Sequence, residues 1–144
     1  MSNEQEYKER MARILAADSR YPPAAYEFVR EAVSYTCRKL RGQGGTGKGT
    51  RRGKHISGQE LLDGIRELAL EEFGPMAIDV FDEWNIRRTE DFGNLVFNLV
   101  RSDLLGASEE DSPADFAKGY DFVEAFVAPF VETGPMPRDL PKIA

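Results

Sequence analysis

Through most of this chain the hydrophobic positions recur at spacings of three and four, the period of helices that bury one face. The clearest block runs from His55 to Gly106. In it Leu61, Leu62, Ile65, Leu68, Ala69 and Phe73 form one stripe, opened by a capping box in which Ser57 faces Glu60 three residues on. Gly74 and Pro75 stop that helix, and Pro75 suits the first position of the next, whose inner face is Met76, Ala77, Val80, Phe81 and Trp84. Asn85 is expected to end it in a left-handed conformation. After the turn Ile86 to Arg88, Thr89 is the expected cap of a third helix, with Glu90 and Asp91 at the positive end of its dipole. Phe92, Leu95, Val96, Leu99, Val100 and Leu104 make its buried face, and Gly106 is expected to end it. Gly93 inside that helix costs roughly 1 kcal/mol relative to alanine, which calls for a neighbouring backbone packed close against it.

Upstream, residues 3 to 17 form an amphipathic pattern with Tyr7, Met11, Ile14 and Leu15 on one side. Pro22 and Pro23 set the entry to a second helix, from about Pro23 to Leu40, with Tyr26, Val29, Val33, Cys37 and Leu40 facing inward. Downstream, Ser112 and Pro113 open a short helical piece that ends near Gly119. The stretch from Tyr120 to Val131 fits two periods. Tyr120, Phe122, Phe126 and Phe130 fall at the even spacings of a strand, whereas Phe122, Val123, Phe126, Val127 and Phe130 make a helical stripe that Asp121 can cap. A short helix is preferred, with a small β element as the alternative. The expected fold is therefore mainly α, with about five helices. Three central helices have the outline of a winged-helix-like core. The expected organisation is one helical domain over 1–132, a flexible basic Gly-rich loop at 42–54, and a Pro-containing tail at 133–144.

A chain of 144 residues suits one domain with one core. No apolar run reaches the roughly 18 residues of a membrane span, and no secretory leader is visible, so the expected setting is cytoplasmic and away from membranes. One cysteine and one histidine rule out an internal disulfide and the usual Cys/His zinc spacings, so no metal or other cofactor is expected. Cys37 lies in register with an apolar stripe and is expected to be a small buried hydrophobe with a raised pKa.

Charge changes the picture in one place. Arg38, Lys39, Arg41, Lys48, Arg51, Arg52 and Lys54 give the segment from Arg38 to His55 seven bases and no acid, whereas residues 56–144 carry seven bases and nineteen acids. The net charge of −6 thus hides a strongly dipolar chain. Within the segment, Gly42, Gly47 and Lys48 mimic a phosphate loop, but Gly49 stands where the magnesium-binding hydroxyl is needed, and neither the required strand nor the following helix is present. A flexible connection that attracts RNA, DNA or an acidic protein surface by charge fits better, although the loop has no aromatic residue for base stacking. Arg87 and Arg88, with Asn94 and Asn98 as base-edge readers, extend the nucleic-acid reading to the third helix, against the repulsion of Glu90 and Asp91.

Catalytic constellations are sparse. His55 stands at the mouth of a helix, with Asp121 as its main candidate partner and Tyr120, Asp91 and Glu60 as others, a set capable of acid–base work if the fold gathers it. Adjacent acids such as Glu71/Glu72 and Asp82/Glu83 diverge by about 100° on a helix and read as solvated faces.

The phrases RYPPAAYEFVREA, HISGQELLDGIRELALEEFGP, EWNIRRTEDFGNLVFNLV and GYDFVEAF, spanning about Arg20 to Phe130, resemble those of a family of small bacterial proteins of unknown function. The resemblance implies a single bacterial domain and carries no activity, cofactor or site residue. If the Gly-rich loop is an insertion between family blocks, its charge is peripheral to them. The expected function is a non-catalytic protein-binding or adaptor module, acting on a protein partner or by self-association. The alternatives are a nucleic-acid-associated factor using the basic residues and, third, a small enzyme using His55.

Overall fold

The computed structural model describes residues 3–44, 56–107, 111–117 and 119–131, and every regular element among them is helical. In chain order these are α1 (Asn3–Ala17), α2 (Pro23–Gly44), α3 (Gly58–Phe73), α4 (Ala77–Glu83), α5 (Thr89–Arg101) and the five-residue α6 (Phe122–Phe126). Single 3₁₀ turns lie at Gly74–Met76, Pro113–Phe116 and Ala128–Phe130. The fold is mainly α, as its periodicity requires. The β alternative near the C-terminus is not adopted, because Asp121 accepts a hydrogen bond from the Glu124 amide at 3.1 Å and starts α6, with Phe122, Ala125 and Phe126 buried. No strand, and so no wing, occurs among the described residues.

Helix α2 is the central beam. Pairings of Phe28 with Phe73, Tyr35 with Glu67 and Thr36 with Gly64 run α3 antiparallel to it, whereas Tyr21 with Asp91 and Tyr26 with Asn98 run α5 roughly parallel on its other side. The α2/α3 crossing depends on Gly64. A Cβ there would run into the Thr36 hydroxyl, which is buried and donates to the Ala32 carbonyl at 2.7 Å. Gly93 plays the same part on α5, but its close neighbour is the Phe116 side chain, at 3.0–3.1 Å from the position a Cβ would take, rather than a backbone.

Several helix ends differ from the sequence expectation. Helix α2 continues to Gly44, so the first residues assigned to the Gly-rich loop are helical. The loop beyond Gly44 and the 133–144 tail lie outside the described residues. Thr89 is not a cap. It is buried as the first residue of α5, its hydroxyl donates to the Phe116 carbonyl at 2.7 Å, and Asp91 instead accepts from the amides of Arg87 and Arg88 at 2.8 and 3.2 Å. Pro75 falls in a 3₁₀ turn, so α4 starts at Ala77 and Met76 is left 58% exposed rather than facing inward.

The two ends of α4 and α5 close in the same way. Asn85 (φ 64°) and Asp103 (φ 61°) are left-handed, with the Ile86 amide reaching back to Phe81 and the Leu104 amide to Leu99. This is the Schellman arrangement, which turns the following apolar residue back over the helix it ends. Asn85 was legible as such a terminator. Asp103 was not, and it ends α5 before Gly106 is reached.

The core is aromatic at one end. Phe81 of α4 is fully buried, and its ring centroid lies 5.2–6.0 Å from those of Phe28, Trp84, Phe92, Phe122 and Phe126, with Phe73 at 6.2 Å. Edge-to-face pairs dominate, the geometry favoured by ring quadrupoles.

Candidate functional site

At the opposite end of α2 the packing stops short. A half-open cleft of about 740 Å³ lies between the C-terminal halves of α2 and α5 and the start of α3. Val33 and Cys37 of α2 form one wall, Val96, Phe97 and Val100 of α5 face them, and Leu61 comes from α3. Leu104 and Leu105, folded back by the turn at Asp103, and Phe116, held under Gly58 and Gly93, complete the apolar lining. The volume lies within the roughly 300–1,000 Å³ range of ligand sites, and the mostly apolar lining with few polar groups is their usual make-up.

The rim is charged asymmetrically. Arg38 and Arg41, three residues apart on the last turns of α2, stand exposed on one side, and neither forms an ion pair with a described carboxylate. Asp111 and Asp115, from the segment that carries Phe116, line it as well. Asp115 accepts from the Ser112 amide at 3.1 Å and so is engaged in holding the Pro113–Phe116 turn. Asp111 is likewise engaged.

The other basic candidates are spread apart. Lys39 turns away from the cleft to pair with Glu67, which also accepts from the Tyr35 hydroxyl at 3.1 Å. That pairing raises the Lys39 pKa and lowers that of Glu67, each favouring its charged form. Arg87 donates to Asp82 at 3.1 Å and to the Asn85 side chain, while Asn85 donates to the Arg20 carbonyl at 3.1 Å. Arg87 and the exposed Arg88 therefore sit by the N-terminus of α2, and Arg38 lies roughly 22 Å further along that helix at 1.5 Å per residue. Lys48, Arg51, Arg52 and Lys54 lie outside the described residues.

Asn94 and Asn98 do not face solvent as base readers. Asn94 donates to the Tyr21 hydroxyl at 3.0 Å, and Tyr21 donates to Asp91 at 2.6 Å. Burial, then the hydrogen bond to Asp91, pushes the Tyr21 phenol up to about 12. Asn98 is buried and donates to Asp18 and to the Tyr26 hydroxyl, at 2.9 and 3.0 Å, and Asp18 is held well below the usual carboxylate range chiefly by the Arg20 guanidinium. This network clamps the α1–α2 connection onto α5. No buried side-chain polar atom among the described residues is left unpaired.

The partners proposed for His55 are similarly committed. Glu60 completes the capping box with Ser57, Asp91 caps α5, Asp121 caps α6, and the Tyr120 hydroxyl donates to the Leu62 carbonyl at 2.9 Å. Burial raises the Tyr120 pKa far above its ordinary value, which fixes it as a neutral donor. His55 itself lies outside the described residues. Among the described residues no cluster of His, Cys, Asp and Glu has the arrangement of a metal site, and no helix is long and apolar enough to cross a membrane.

Sequence reasoning missed the cleft. Its trace was present as an apolar arc on α5 wider than one stripe, with Phe97 beside Val96 and the pair Leu104–Leu105 beyond the helix end. In comparisons with known proteins the chain matches no family model, no curated protein and no solved structure.

Proposed function

We propose that this chain is a non-catalytic binding module that takes an apolar segment of a protein partner in the cleft between α2 and α5. The observation that carries the reading is the cleft itself, 740 Å³ of mainly aliphatic wall left open where the same helices are closed tightly at their other ends. Contiguous apolar surface of this kind on a small protein is usually an interaction site. Among the described residues the polar groups on its rim are two guanidiniums, serines and engaged carboxylates, a set that suits binding. Further apolar side chains, Met76, Val123, Phe130 and Val131, are exposed on the turn before α4 and around α6, and suit additional contact with a partner or a second copy.

The nucleic-acid alternative draws its support from the seven bases between Arg38 and Lys54. Arg87 and Arg88 lie at the far end of α2 and do not extend the footprint of Arg38 and Arg41.

One pair of measurements separates the readings. Affinity capture with identification of bound proteins is made for the intact chain and for Val100→Trp, which fills the cleft. Fluorescence anisotropy with mixed RNA and DNA oligomers is made at low and physiological salt, using a variant with Lys48, Arg51, Arg52 and Lys54 all changed to Ser as control. A partner retained by the intact chain and lost by Val100→Trp, without salt-sensitive oligomer binding, is the expected result. Strong, salt-sensitive oligomer binding lost in the Ser variant reverses the assignment.

A further inference from the structure

The cleft constrains the chemistry of what enters it, an inference that rests on the protein-binding reading above. Peptides are held by few modes. Strand addition needs a sheet edge, and the described residues contain no strand to extend. Polyproline recognition needs a groove paved with aromatic rings, whereas among the described lining residues only Phe97 and Phe116 are aromatic and most of the other apolar ones are aliphatic. The remaining mode is a helix in a groove, and the geometry suits it. Two walls of the cleft are themselves helices, α2 and α5, running roughly side by side, so the gap between them is the groove that a further helix would fill by ridge-and-groove packing.

Charge then sets which helix. Of the four described charged residues on the rim, the two anions are already engaged, Asp115 by the Ser112 amide and Asp111 by its own partner. The two cations, Arg38 and Arg41, are exposed and form no ion pair with a described carboxylate, and their spacing of three places both guanidiniums along one edge of the groove. An incoming helix with carboxylates on the flank beside α2 would satisfy both, since arginine binds carboxylate in a forked geometry.

We infer that the cleft receives an amphipathic helix of a partner protein, its apolar face on Val33, Val96, Val100 and Leu104, and its acidic flank against Arg38 and Arg41.

The probes are three labelled peptides of about 18 residues, five helical turns. One has leucines at helical spacing with glutamates on one flank, the second has lysines in place of those glutamates, and the third is a scrambled version of the first. Anisotropy is measured against the full chain, Arg38→Glu/Arg41→Glu and Val100→Trp, each checked by circular dichroism and thermal melting. The acidic amphipathic peptide binds the intact chain, and the lysine and scrambled peptides bind about tenfold more weakly or worse, a difference of about 1.4 kcal/mol. Arg38→Glu/Arg41→Glu reverses the preference between the acidic and lysine peptides, and Val100→Trp abolishes binding of both. Equal binding of acidic and lysine peptides, unchanged by the charge reversal but lost in Val100→Trp, overturns the acidic partner and leaves the cleft reading standing. Binding that survives Val100→Trp overturns the cleft reading. No binding by any peptide at about 1 mM overturns the helix-in-groove inference, while the capture experiment decides the broader reading on its own.

Discussion

The two ends of the α2/α5 pair use the same kind of sequence to opposite effect. At the first end, Tyr21 and Tyr26 are locked to Asp91, Asn94 and Asn98, and beside them the rings of Phe28, Phe73, Phe81, Phe92 and Phe126 fill the interior. At the second, Val33, Phe97, Val100 and Leu104 are as apolar as any core residue but stay partly open to solvent around a cleft. The difference lies in what is supplied to cover them. Helices α4 and α6 bring Phe81, Phe122 and Phe126 to one end, whereas among the described residues the other receives a folded-back turn and Phe116. An apolar surface that the described residues leave uncovered suits an occupant in a way that the filled end does not.

That contrast is sharpest in Phe81→Ala, which removes the ring at the centre of the aromatic end. We expect a loss of about 3–5 kcal/mol in denaturant unfolding, the range for a fully buried phenylalanine. A loss below about 2 kcal/mol would show that this end is loosely packed and erase the distinction. Gly64→Ala comes next, at about 1–3 kcal/mol, because the added methyl collides with Thr36 at the α2/α3 crossing. Combining it with Thr36→Ala should give clearly less than the sum of the two single losses, and simple additivity would show that the crossing is not where the methyl is felt. At the open end Leu104→Ala is expected to lower stability by only about 1 kcal/mol, since its side chain is only partly buried. The same change should weaken peptide binding measurably, so that stability and binding separate at this position and not at Phe81.

The smallest effect is a pH dependence. Glu72 of α3 lies against Glu31 of α2, and the shared proton between the two carboxyls pushes Glu72 up from 4.5 to about 7. Between these values the folded chain holds more protons than the unfolded one, so this pair's contribution is fully present below 4.5 and is lost as pH rises through about 7. Asp18 works in the other direction. Its lowered pKa gives stability that is present above the ordinary carboxylate value and lost as pH falls below it. Glu72→Gln should therefore raise the melting temperature slightly at pH 8 relative to the unmodified chain and flatten the slope between pH 5 and 8. An unchanged slope would mean that the two carboxylates do not share a proton.

Much of the fold was legible because helical periodicity and capping are local. Ser57 with Glu60, the stop at Gly74 and the left-handed Asn85 all behave as their residue types dictate. Thr89 failed as a cap because a tertiary partner, the Phe116 carbonyl, competed for its hydroxyl, and nothing near Thr89 in sequence announces that carbonyl. Asn94 and Asn98 were misread for the same reason, since their partners Tyr21, Tyr26 and Asp18 lie more than seventy residues away. The cleft is a property of where three helices diverge. Composition shows only its ingredients, an apolar arc on α5 and two arginines on α2, and not that they meet.

Cys37 has a use apart from packing. It is the single thiol of the chain, and it stands in the cleft wall with 9% of its surface accessible. Its rate of reaction with a small disulfide reagent thus reports the occupancy of one place in the molecule, without engineering and without background from any other sulfur. A partner that fills the groove slows that reaction, and one that docks elsewhere leaves it alone.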